Sequence, residues 1–185
     1  HVSLQFHEKK GDLKENGNHQ KNNCLITKLV YVYEGIENES PKSGRHRLIN
    51  PHYFCGVNSG KGNLEFWDEI YEYLDSHYEL SKVKKIYVNS DGGSWIRSGM
   101  KRIAGVTHVL DEFHLEKYLT KLTSHMKDSQ TDAADELRKT IRNGTKEEFE
   151  ALVEKLEGYL TGDTGRERME EAKTYILSNW TAAKT

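Results

Sequence analysis

The sequence predicts a mixed α/β chain that ends in an all-helical block. Three observations carry this. Up to about residue 120, short apolar runs with strand character alternate with turns and with helical spacing. After about residue 127 no strand pattern remains. The breaks in that last part carry Gly, Asn, Asp and Thr, as helix ends do.

Element by element, Val2, Leu4 and Phe6 alternate with Ser3, Gln5 and His7, the pattern of a half-buried strand. "EKKGDLKENGNHQKNN" at 8–23 is polar and glycine-bearing, and is expected as a long exposed hairpin loop. "CLITKLVYVYEGI" is apolar on both faces apart from Lys28 and reads as a central strand. "HRLINPHYFCGV" reads as a third strand, with Pro51 marking an edge or a bulge. "NLEFWDEIYEYLDSHY" spaces Phe66, Ile70, Tyr73 and His77 on one helical face, with Trp67, Tyr71, Leu74 and Tyr78 beside them. "KKIYVNS" is a short strand, "SWIRSGMKRI" a short helix, "VTHVL" a fifth strand and "EFHLEKYLTKLTSHM" a helix. Beyond these, Leu137 and Ile141 mark one helix. Phe149, Leu152, Val153, Leu156 and Leu160 mark another, opened by a Thr145/Glu148 capping box. Met169, Ala172, Tyr175, Ile176 and Trp180 mark a third.

Three antiparallel hairpin strands followed by two parallel βα units is the order of an RNase H-like mixed sheet, here with a C-terminal all-helical insertion. The expected division is a catalytic core at 1–127 and a helical insertion block at 128–185. The chain starts on His in the middle of a strand pattern, so it is read as an excised piece. If the insertion is cut, Ile176, Leu177 or Trp180 should be exposed and favour a homo-oligomer.

The 185 residues suit one domain, or one with a large insertion. A formal net charge of −2 is less basic than is usual for a self-sufficient nucleic-acid binder, so any basic contacts are local. No apolar run approaches the roughly 20 residues of a membrane span, and no signal peptide is evident. Cys24 and Cys55 show no CxxC pattern and read as free, buried thiols. A cytoplasmic protein is expected.

The chemistry concentrates in "YVNSDGGSWIRSG" and "VLDEFHLEKYL". Asp91 closes the fourth strand and Asp111 the fifth, and ligands of open α/β sheets gather at the carboxyl ends of strands. Gly92 and Gly93 remove side chains, which would let a phosphate backbone approach. His114 follows Asp111 at i+3, so both can face one end of the next helix. Each acid is also a sound helix N-cap, and spacing does not separate the two roles. One carboxylate is no metal site, since Mg²⁺ takes several oxygen ligands.

On these residues, with "HVSLQ" and with "VYEG" at Val32–Gly35, the chain resembles the ISLre-type insertion-sequence transposases of bacteria, which are distantly similar to Mutator-like DDE transposases. The match is strongest at 1–7 and 86–119 and weakest in the helical tail. The resemblance implies an RNase H-like fold and a DDE mechanism, in which three carboxylates hold two Mg²⁺ or Mn²⁺ ions for cleavage and joining of DNA. Asp91 matches the second acid. Asp111 and His114 match a D-x-x-H signature with a supporting role, and Gly92 and Gly93 are supporting residues beside Asp91. The first acid would precede His1, and the third, a glutamate, would follow Thr185. The piece itself is then expected to be inactive and a poor metal binder. The implied partners of the parent are transposon-end and target DNA, with no membrane.

Other readings are blander. The nine histidines offer no zinc-ligand spacing. "KVKK" at 82–85 and "KRIAG" read as solvated faces that can touch phosphates, and Trp180 reads as a core anchor. The competing function is a non-catalytic interaction or dimerisation module.

Overall fold

The computed structural model describes residues 2–5, 24–160 and 163–185. The expected hairpin loop at 8–23 lies outside them, as do Phe6 and His7 of the first strand. The chain packs as two compact units, His1–His77 and Tyr78–Thr185.

In the first unit, β1 (Val2–Gln5), β2 (Cys24–Val32) and β5 (His52–Gly56) form an antiparallel sheet in the order β1-β2-β5. β3 (Gly35–Asn38) and β4 (His46–Ile49) form a separate antiparallel ribbon. The two long strands expected at the sequence level are thus each broken in two. Pro51 lacks the N–H a ladder needs, and Asn50 beside it turns the chain at φ 48°, a left-handed conformation that asparagine tolerates better than most residues. The gap is bridged by the Glu34 N–H donating to the Ile49 carbonyl (3.0 Å) and by Asn50 Nδ2 donating to Glu34 Oε2 (2.9 Å).

Strand alternation sorts the faces of β2 and β5. Phe54 is buried, while Tyr53 and Cys55 flank it on the opposite face, paired across to Tyr31 and Leu29. Cys55 is therefore an exposed free thiol, not the buried one expected; the side chain of Cys24 lies outside the described residues. α1 (Gly62–His77) buries Phe66, Trp67, Ile70 and Leu74. The Tyr73 ring of α1 stacks on His52 of β5 at 4.0 Å. Lys28, the one charge in the β2 run, is buried and donates to the Asn58 carbonyl and to Asn63 Oδ1. Burial holds its ammonium below the usual lysine range.

The second unit opens with β6 (Ile86–Ser90), α2 (Ser94–Gly99), β7 (Val106–Leu110) and α3 (Glu112–Thr123). β6 and β7 pair in parallel. α4 (Gln130–Asn143), α5 (Lys146–Glu157), α6 (Asp163–Ser178) and α7 (Trp180–Ala183) follow, and no strand occurs after β7 among the described residues. The Thr145/Glu148 capping box opens α5 as the sequence indicates. The third expected helix is split at Asn179, whose backbone departs from helical angles (φ −113°, ψ 18°) while its Nδ2 (3.0 Å) and its N–H (3.2 Å) both donate to the Tyr175 carbonyl. Trp180 starts α7 instead of ending α6.

The fold class is mixed α/β with C-terminal helices. The ladders of the described residues draw three separate sheets, not one mixed sheet. The change of texture at residue 127 has no packing boundary of its own. Leu119 and Leu122 of α3 share one core with Leu137, Phe149, Met169 and Ile176 of the later helices. Ile176 and Trp180 are inside that core and Leu177 is half-buried, which corrects the expectation of an exposed apolar face there.

If α3 and the later helices share this core, Leu122→Ala and Leu137→Ala, both fully buried, should each cost about 2–5 kcal/mol in denaturant unfolding. Tyr159→Ala, at a 69% exposed position, should change stability by about 0.5 kcal/mol or less. A small effect at Leu122 would detach α3 from the helical core.

Candidate functional site

The parallel register of β6 and β7 ends with Ser90 opposite Leu110, and the Asp111 N–H donates to the Ser90 carbonyl at 2.8 Å as a last rung. Asp91 and Asp111 are the next residues on each strand. With neighbouring strands about 4.8 Å apart, the two residues occupy neighbouring backbone positions at the carboxyl edge of the pair.

Asp91 is not the N-cap of α2; Gly93 is. Asp91 Oδ1 instead accepts the Gly93 N–H at 3.0 Å, closing a turn over Gly92. Gly92 has φ +76°, and a Cβ there would lie 2.6 Å from Asn179 Nδ2. The glycine is needed for its backbone angle and for the close seat of Asn179. Asp111 does cap α3: its Oδ1 accepts the His114 N–H at 3.2 Å. His114 Nδ1 stands 3.4 Å from the same oxygen and is buried without a hydrogen-bond partner. Asp111 itself is exposed.

Behind this edge stand side chains that sequence reading passed over. The Tyr175 hydroxyl donates to the Asp91 carbonyl at 2.6 Å, and its ring stacks on Tyr118 at 3.6 Å. Burial first, then Tyr118, Asp91 and Asp111, push the Tyr175 hydroxyl well above the usual tyrosine range, so it serves as a donor. Arg97 donates to the Gly92 carbonyl and, at 2.8 Å, to Asn179 Oδ1. Ser90 Oγ accepts the Gly92 N–H at 3.1 Å and lies 2.7 Å from His108 Nε2. Burial, then the Arg97 charge, lower the His108 pKa, which suits an unprotonated Nε2 accepting from the serine. The only hints in the sequence are the one-turn spacings of Tyr175 to Asn179 and of His114 to Tyr118.

Carboxylate oxygens suit Mg²⁺ or Mn²⁺, so the donor chemistry of Asp91 and Asp111 fits. Their number completes no site: among the described residues no group of three or more His, Cys, Asp or Glu is placed to hold a metal. Nor is any helix among them long and apolar enough to cross a membrane.

Comparison with known proteins places the chain. The model of the uncharacterised protein family UPF0236 matches residues 6–185. The chain belongs to this family. UPF0236 proteins of Caldanaerobacter subterraneus subsp. tengcongensis are 34% identical over 157 residues, 85% of this chain and 30–32% of theirs. The "UPF0236 protein in vanSb 3′region" of Streptococcus gallolyticus is 30% identical over 162 residues, 85% of this chain and 34% of its own. The chain thus spans about a third of the length of the curated UPF0236 relatives it matches. No solved structure matches.

Two tests address this edge. Gly92→Ala should destabilise by more than about 1 kcal/mol, and Asn179→Ala in the same chain should return part of the loss, the double-mutant cycle showing coupling; strict additivity would mean the two do not meet. For His108, a lowered folded pKa means the unfolded state binds the proton more readily. Its stability contribution is then present above the ordinary value of 6.5 and is lost as pH falls through the folded pKa. Urea unfolding at pH 7.5 and 5.5 should show a smaller drop in His108→Gln than in the wild type.

Proposed function

We propose that this chain carries part of the catalytic core of a DNA transposase, an RNase H-like polynucleotidyl transferase of the DDE class, and that Asp91 is one of its metal-holding carboxylates. The observation that carries the reading is the pair of acids at the carboxyl ends of adjacent parallel strands, with the Asp91 turn fixed by hydrogen bonds on both sides. The resemblance of "YVNSDGGSWIRSG" and "VLDEFHLEKYL" to ISLre-type transposases points the same way. A further support comes from the relatives. The name of one Caldanaerobacter protein joins eleven locus labels, and many copies in one genome is what a mobile element leaves.

The remaining acidic ligands lie, in this reading, outside these residues. A divalent ion held there supplies Lewis-acid chemistry at the phosphodiester. The chain's own contribution is positional. Asp91 offers a carboxylate held by its turn. Asp111 caps α3 and sets His114 beside it, in a supporting role.

In the full-length protein, Asp91→Asn should abolish Mg²⁺- or Mn²⁺-dependent cleavage of DNA carrying the ends of its own element, with folding retained. Asp111→Asn keeps the N-cap and should cut cleavage about tenfold through the lost charge. Undiminished cleavage by a folded Asp91→Asn protein would remove the assignment.

A further inference from the structure

The side chain that binds the Asp91 turn also touches the helix that starts at Asp111. Tyr175 of α6 donates its hydroxyl to the Asp91 carbonyl at 2.6 Å. Its ring lies nearly parallel to Tyr118, 15° from coplanar at 3.6 Å between centroids. Tyr118 stands one turn after His114 on α3, the helix that Asp111 caps. One turn after Tyr175, Asn179 is buried against Gly92 and accepts from Arg97, whose guanidinium also donates to the Gly92 carbonyl. The carbonyls of two successive residues, Asp91 and Gly92, thus accept from Tyr175 and from a guanidinium anchored by Asn179. Fixing those two peptide planes fixes the direction in which the Asp91 side chain leaves the backbone.

We propose that Tyr175 and Asn179 are positioning residues for the Asp91 carboxylate, through which α6 sets the acid turn of β6 against α3 and its Asp111–His114 end. The inference rests on the metal-site reading of Asp91. It gives the helical block a part in the acidic edge: α6 is the clamp that holds one acid in register with the other. A purely structural tyrosine would act through its ring. The hydroxyl is the atom that reaches the turn, so removing it alone separates the two roles.

The probe is Mn²⁺ alone, titrated calorimetrically into the full-length protein and into its Asp91→Asn, Tyr175→Phe and Asn179→Ala variants, with melting temperatures measured beside each. Asp91→Asn should remove the site. Tyr175→Phe keeps the ring and should melt within about 4 °C of the wild type while weakening Mn²⁺ binding roughly tenfold, the scale seen when outer partners of metal ligands are removed. Asn179→Ala should weaken it in the same direction, and amide exchange at Gly93 should quicken about fivefold in both. If Asp91→Asn removes the site but Tyr175→Phe and Asn179→Ala bind Mn²⁺ as the wild type does, the positioning role is overturned and the metal-site reading stands. If affinity falls only in step with melting temperature, the residues are structural and the role is likewise overturned. Mn²⁺ binding unchanged in Asp91→Asn would overturn both.

Discussion

The Tyr175 hydroxyl meets the carbonyl of Asp91 across 84 positions of chain, and the arrangement of the acidic edge follows from that contact. A parallel two-stranded pair has few ladder bonds of its own and is marginal without packing. Here β6 and β7 are followed by α2 and α3, and α3 is seated in the helical core through Leu119 and Leu122. α6 belongs to the same core through Met169, Ala172 and Ile176. Tyr175 projects from that helix, so the Asp91 turn is referenced to the most deeply buried part of the unit and not to a loop.

Two local departures from regular structure meet beside this contact. Gly92 sits at φ +76° with Asn179 where a Cβ would be. Asn179 interrupts the α6–α7 helix at φ −113°, ψ 18°. The left-handed angle is open to glycine at little steric cost. The two places are joined by Arg97, which donates to the Gly92 carbonyl and to Asn179 Oδ1. A neutral hydrogen bond contributes about 1 kcal/mol net, so the clamp is worth a few bonds. Its value is geometric, since it leaves the Asp91 backbone little freedom.

Much of this fold was legible because its signals are local. The strand ends at Asp91 and Asp111, the Thr145/Glu148 capping box and the apolar spacing of α1, α4 and α5 are set within a few residues. What stayed hidden depends on distant partners. The kinks at Glu34 and Asn50 arise from a hairpin whose two arms break together. Cys55 is exposed because strand alternation puts Phe54 inside, a choice that the apolar run "YFC" leaves open. The true neighbour of Gly92 could not be read from "SDGGSW", which fits an open phosphate seat as well as a place for a side chain brought from α6. Trp180 read correctly as an anchor because a large aromatic at helical spacing is usually core, while the expectation that it would be exposed assumed a cut surface that the packing of α7 does not have.

In the proposed transposase, this architecture holds one acid rigidly while the other ligands come from outside these residues. The most direct measurement is anomalous diffraction from crystals of the full-length protein grown with Mn²⁺. The account predicts a peak within metal-ligand distance, about 2.0–2.2 Å, of an Asp91 carboxylate oxygen, with Asp111 and His114 nearby. A fully occupied Mn²⁺ peak bound elsewhere, with the Asp91 carboxylate turned away from it, would contradict the account.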